Sequence, residues 1–135
     1  MIKKILFSKP FIGKYEKIFV NRVFDNKKFT DGEFQNKAKN VIGSMIKSKC
    51  LELTHSCSSA LEISMLLIDL KKGDEVIMPS YTFTSTANAV LLRGGKPVFV
   101  DVSPHDVNLN YKLVEKKINQ KTKAIIVVHY AGIAC

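Results

Sequence analysis

Phe34, Ala38, Val41, Ile42, Met45 and Ile46 recur at intervals of three and four, a spacing that places them on one face of an amphipathic helix over residues 33 to 48. So wide an apolar face calls for a large surface to pack on. Cys50-Leu51-Glu52-Leu53-Thr54 then alternates as a half-buried strand does and leads into the polar run His55-Ser56-Cys57-Ser58-Ser59. From residue 60 to residue 70 the chain is apolar on nearly all sides, with Leu61, Ile63, Met65, Leu66, Leu67, Ile68 and Leu70, which predicts a buried helix with Gly73 just beyond its end.

A short strand is expected over residues 75 to 79, followed by a helix over residues 85 to 93 that Gly94 and Gly95 stop in a left-handed cap. Residues 97 to 102 form the next strand. Tyr111, Val114 and Ile118 mark a short helix, and residues 123 to 129 form a last apolar strand. Strands apolar on both faces that alternate with helices define an α/β fold, a mostly parallel sheet flanked by helices. Three or four strands do not complete such a sheet, and no closing helix follows the last one. The pattern therefore reads as a truncated domain, with residues 1 to 32 as an N-terminal arm and residues 33 to 135 as the domain fragment.

With 135 residues, 46% of them hydrophobic and 24% charged, the chain has a globular composition and is too short for two complete domains. Its net charge of +9 is unevenly spread. Residues 1 to 50 hold 12 basic and 4 acidic side chains, +8, and the remainder holds 9 and 8, +1. The lysines of the first part are interspersed with Ile, Phe and Pro, which suits a solvated face better than a phosphate-binding stripe; a small nucleic-acid-binding module is the alternative they raise. Cys50, Cys57 and Cys135 form an odd set without metal-ligand spacing, so neither a disulfide framework nor a metal site is expected. Lys9, Pro10 and Lys14 interrupt any signal-peptide core, and no apolar run reaches the roughly 18 residues of a membrane span. A cytoplasmic protein is expected.

Chemistry concentrates at two junctions. At the start of the helix after His55, unpaired N–H groups and the helix dipole favour an anion, and the hydroxyls of Ser58 and Ser59 can add donors. Ser59 and Glu62 also fit a capping box, which would satisfy the same N–H groups internally. The second junction, Met78-Pro79-Ser80-Tyr81-Thr82-Phe83-Thr84-Ser85-Thr86, is dense in hydroxyls and offers Phe83 either as a stacking ring or as a core anchor. Both junctions follow expected strands and would lie at the sheet edge where ligands bind in open parallel sheets. His129 and Asp101 fall at strand ends on that edge, where backbone-satisfied roles are the simpler reading. No G-x-G-x-x-G or P-loop motif occurs.

The words Thr54-His55-Ser56-Cys57-Ser58-Ser59-Ala60-Leu61-Glu62, Gly73-Asp74-Glu75-Val76-Ile77-Met78-Pro79-Ser80-Tyr81-Thr82-Phe83, Pro97-Val98-Phe99-Val100-Asp101-Val102 and Val128-His129-Tyr130-Ala131-Gly132 occur in order. In them the chain resembles the DegT/DnrJ family of nucleotide-sugar aminotransferases, nearest to the dTDP-4-amino-4,6-dideoxy-sugar transaminases of surface polysaccharide biosynthesis. The resemblance implies the aspartate aminotransferase-like (fold type I) large domain with pyridoxal 5'-phosphate as cofactor. It assigns Ser58 and Ser59 to the cofactor phosphate and Phe83 to stacking on the pyridine ring. Cys57-Ser58 stands where a Gly-Thr pair is common in the family. It further implies glutamate and a nucleotide-linked keto-sugar as substrates of a homodimer, without nucleic acid or membrane. A relative that has lost the lysine and acts as a sugar dehydratase is a further alternative. By family order the catalytic lysine and the aspartate that faces the ring nitrogen follow His129-Tyr130. The chain then holds no catalytic residue of its own and is expected to be inactive alone.

Overall fold

The computed structural model describes residues 6 and 8–135. They divide into two compact units, Met1–Leu53 and Thr54–Cys135. The first holds helices α1 (Lys14–Asn26) and α2 (Glu33–Ile46). Helix α1 falls in the segment read from sequence as an arm. At its start the Glu16 carboxylate accepts the Gly13 N–H at 2.8 Å, which satisfies one of the donors a helix start leaves free. Tyr15 and Phe19 on α1 and Phe34 on α2 form a chain of ring contacts, with the latter two centroids 5.1 Å apart. The amphipathic face predicted for α2 is present but largely uncovered: Val41, Met45 and Ile46 are exposed, and only Gly43 is buried on this helix.

The second unit is a three-layer α/β arrangement. Its elements are α3 (Cys57–Leu67), β1 (Glu75–Pro79), α4 (Ser85–Leu91), β2 (Lys96–Val100), α5 (Tyr111–Glu115), β3 (Thr122–Ile125) and a 3-10 turn at Tyr130–Gly132. The sheet has the order β2-β1-β3 with every pairing parallel. β1 pairs with β2 from Glu75↔Lys96 to Pro79↔Val100, and Ile77 pairs with Ile125 on β3. Successive side chains of a strand point to opposite faces. Val76 and Met78 accordingly join Met65, Leu70, Ala89 and Val90 in one core beneath α3 and α4, whereas Ile77 joins Val100 and Val114 of α5 in the other. Val76, Ile77 and Met78 are wholly buried, and at roughly 1.5–3 kcal/mol per buried apolar side chain this strand contributes a large share of the unit's cohesion.

The expected alternation of strand and helix is borne out from Glu75 onward, with shorter elements. Three expectations are corrected. Residues 50 to 54 form no strand: their alternation is right, but among the described residues no strand pairs with them, and strand formation depends on a neighbour. The helix expected over residues 60 to 70 begins three residues earlier, and it is not buried all round. Met65 faces the core while Leu66 and Leu67 are exposed, because only one side of α3 meets the sheet. Of the two glycines after α4, only Gly94 adopts the left-handed conformation, at φ +75°. Gly95 serves close packing instead: a Cβ there would lie 2.7 Å from Leu70 Cδ2 and 2.9 Å from Val90 Cγ1.

Candidate functional site

The residue that caps α3 is Ser56, not Ser59. Its backbone is extended, and its hydroxyl accepts the Ser59 N–H at 3.1 Å. The Ser59–Glu62 capping box is therefore not formed, which leaves both hydroxyls picked out by the sequence within the first turn of the helix. Cys57 and Ser58 N–H groups make no hydrogen bond among the described residues, and the first turn carries no acidic side chain. Free donors at the positive end of an eleven-residue helix suit an anion. Cys57 has an ordinary right-handed helical backbone, so glycine's freedom is not required where the family commonly places glycine.

The two candidate serines have different surroundings. Ser59 Oγ lies 3.0 Å from both Ser56 Oγ and His55 Nε2 on the outer side of the turn. Ser58 Oγ–H donates to Ser85 Oγ at 2.7 Å, a half-buried bond that ties the start of α3 to the start of α4. Since Ser85 is two residues from Phe83, this bond brings the serine junction and the aromatic loop to one edge, as expected from sequence. The route differs from the expected one: packing of α3 against α4 joins the two junctions, not a strand leading into α3.

The loop between β1 and α4 is pinned at both ends. Ser80 N–H donates to the Val100 carbonyl at 2.8 Å, and Ser80 Oγ approaches Asp101 Oδ1 at 3.4 Å. At the other end the Thr82 and Thr86 hydroxyls lie 2.9 Å apart. Phe83 projects from the loop with 75% of its surface exposed, so it is not the core anchor that was its plainer reading. Tyr81, Thr82, Phe83, Val128 and Tyr130 line a cavity of about 340 Å³. The Tyr81 and Tyr130 rings are 5.3 Å apart at 54°, and hydrogen bonding with the Tyr81 side chain, followed by its charge, holds the Tyr130 phenol above its ordinary value.

Asp101 and His129 have the backbone roles that were the simpler reading. Asp101 Oδ1 accepts the Val102 N–H at 2.9 Å, and His129 Nδ1 accepts the Cys135 N–H at 3.0 Å. Sequence reasoning did not single out His55, Ser85, Tyr81 or Tyr130. The spacing of His55 and Ser59, one helical turn, was the available sign for the first; the other three depend on pairings across 27 and 49 residues, which no local pattern reveals. Among the described residues no cluster of His, Cys, Asp and Glu could hold a metal ion, and no helix is long and apolar enough to cross a membrane.

The model of the DegT/DnrJ/EryC1/StrS aminotransferase family matches residues 10–135. The chain belongs to this family. An uncharacterized protein of Methanocaldococcus jannaschii is 38% identical over 130 residues, which cover 94% of the chain and 33% of the relative. The 3-oxo-glucose-6-phosphate:glutamate aminotransferase of Bacillus subtilis is 34% identical over 113 residues, 84% of the chain and 26% of the enzyme. A Streptococcus pneumoniae protein assigned as a sugar aminotransferase superposes in its PMP form with a TM-score of 0.90 at 30% identity, covering 98% of the chain and 34% of that structure. The family depends on pyridoxal phosphate, and the pneumococcal protein is known in PLP and PMP forms. The chain thus spans between about a quarter and a third of the length of these relatives.

Proposed function

We propose that this chain supplies the phosphate cradle and the ring-stacking residue of a pyridoxal phosphate-dependent sugar transaminase. Ser58 and Ser59, with the free N–H groups of the α3 start, bind the cofactor phosphate, and Phe83 covers the pyridine ring. The observation that carries this reading is the Ser58–Ser85 bond, which ties the start of α3, with its free N–H donors, to the helix that follows the Phe83 loop. Family membership gives that geometry its ligand. When bound, the cofactor supplies the electron sink for amino transfer. The chain's own residues hold its phosphate and ring; residues 1 to 32 serve as an arm and residues 33 to 135 as the N-terminal part of the cofactor domain.

The protein that contains this chain transfers an amino group from glutamate to the 4-keto carbon of a dTDP-linked 6-deoxysugar for surface polysaccharide synthesis. It works as a cytoplasmic homodimer, and this chain alone is inactive. A second reading, a keto-sugar phosphate as acceptor, is favoured by the substrate in the name of the Bacillus subtilis relative.

Pyridoxamine 5'-phosphate tests the cradle because its amine, unlike the aldehyde of pyridoxal phosphate, cannot condense with surface lysines. The chain is expected to bind it more tightly than pyridoxamine. Ser58→Ala and Ser59→Ala are each expected to reduce that preference by about tenfold, the scale of one hydrogen bond to a charged group. Phe83→Ala should weaken both ligands alike. Equal affinity of the unaltered chain for the two ligands overturns the cradle. For the reaction, the protein that contains this chain is expected to release 2-oxoglutarate from glutamate with dTDP-4-keto-6-deoxyglucose; release only with a keto-sugar phosphate supports the second reading, and release with neither overturns both.

A further inference from the structure

We propose that Ser85 is a positioning residue for the phosphate, acting through Ser58 by a hydroxyl relay; the inference rests on the cradle reading above. A serine hydroxyl has one proton to donate and two lone pairs to accept with. In the structure Ser58 gives its proton to Ser85 Oγ across 2.7 Å, and this proton is the one a phosphate oxygen would take. The bond as it stands has Ser58 as the donor; a small rotation of the Ser85 side chain reverses it, so that Ser85 donates to Ser58 and Ser58 donates to the phosphate. Ser85 then does two things that no residue of α3 does. It holds Ser58 Oγ in one of its three staggered positions, and it polarises the Ser58 O–H toward the anion.

The location of Ser85 favours this role over a capping one. It is the first residue of α4, whose N-cap is Thr84, and no side-chain cap bond is made there. Ser58 and Ser85 are both half-buried, so water competes less for their hydroxyls than it does at the exposed Ser56. The two residues come from different helices, and their bond fixes the distance between the phosphate end and the loop that carries Phe83. Ser85 does not touch the ligand in this scheme. Its effect therefore depends entirely on Ser58.

That dependence is the test. In titrations with pyridoxamine 5'-phosphate, Ser85→Ala is expected to weaken binding about five- to tenfold, the range of one hydrogen bond, and to leave pyridoxamine affinity within about twofold. In a Ser58→Ala background the same change should cost nothing more. Ser85→Thr, which keeps the hydroxyl, should restore the affinity. A Ser85→Ala loss shared equally by pyridoxamine, a loss that adds fully to that of Ser58→Ala, or no loss at all overturns the relay while leaving the cradle intact. If the unaltered chain shows no preference for the phosphorylated ligand, the cradle fails and the relay fails with it.

Discussion

Asn108 is the residue on which the Tyr130 side of the site depends. Its side chain is 2% exposed and makes three bonds to the segment after β3. Oδ1 accepts the Tyr130 N–H at 3.1 Å, and Nδ2 donates to the carbonyls of Ile133 at 3.1 Å and Ala134 at 3.4 Å. Asn108 is itself held by its N–H, which donates to Asp106 Oδ1 at 3.1 Å, and by its carbonyl, which accepts the Ser103 N–H at 2.8 Å. The preceding Val107 has φ +59°, an unfavourable conformation for a β-branched residue, so the turn that aims Asn108 inward is kept at a cost. Asn108→Ala removes two well-formed bonds and one long one. Each bond is worth about 0.5–1.5 kcal/mol net, and each buried group left unpaired costs about 1–3 kcal/mol. Water can reach Tyr130 and Ile133, which are 39% and 53% exposed, and this places the expected loss near the lower sum, about 1–3 kcal/mol.

Asn108→Asp separates the bonding argument from a packing one, because it keeps the volume and the acceptor for Tyr130 but sets a carboxylate oxygen against two carbonyls. Its folded-state pKa is then raised, and the sign follows: its destabilisation is small in acid, where the neutral carboxyl can donate, and grows as pH rises through that pKa. Urea unfolding of the three proteins, with hydrogen exchange read at the Tyr130 amide, measures both effects. A loss for Asn108→Ala below about 0.5 kcal/mol together with unchanged Tyr130 exchange refutes the reasoning.

Gly95→Ala is expected to destabilise by about 1–3 kcal/mol through overpacking against Leu70 and Val90, and Val90→Ala in the same chain should recover part of the loss in the urea midpoint. The Glu75 carboxylate accepts from Asn119 Nδ2 at 2.8 Å and Lys96 Nζ at 3.0 Å, and these bonds, the Asn119 one foremost, hold its pKa below the ordinary 4.5. A lowered folded pKa means stability that is present above 4.5 and lost as pH falls through the folded value. Glu75→Gln should therefore flatten the acid limb of a plot of urea midpoint against pH; an unchanged limb assigns that limb to other groups.

What could be read in advance followed from how local its causes were. Glu75–Pro79 was legible because five buried residues in a row, bounded by turn residues, leave few options for a central parallel strand. Residues 50 to 54 carried a strand-like alternation, but whether a strand forms depended on a partner elsewhere in the chain. The cap of α3 was misplaced by one turn because hydroxyls at Ser56, Ser58 and Ser59 all suit the N-cap, and Glu62 made the later register look favourable. Helix α1 was missed although Tyr15, Phe19 and Val23 recur every four residues, because interspersed lysines and aromatics obscured the pattern. Ser58, Ser59 and Phe83 could be picked out as candidates from residue type and position, whereas the Ser58–Ser85 bond, across 27 residues, could not.

The exposure of Phe83 gains its meaning from what fixes the loop beneath it. A large aromatic that is 75% exposed on a loose loop would lose much of its stacking energy to the cost of ordering on binding. Here the loop leaves a wholly buried strand, and its first residue extends the ladder to Val100. Asp101 braces Ser80 from the neighbouring strand end, the Thr82–Thr86 contact closes the far side, and Ser58–Ser85 fixes the helix that follows. These bonds leave the backbone on either side of Phe83 little freedom to lose, so most of the ordering cost is met when the unit folds. The same logic explains why hydroxyls crowd this loop. They are short and hydrogen-bond locally, so they fix the loop while Phe83 stays exposed.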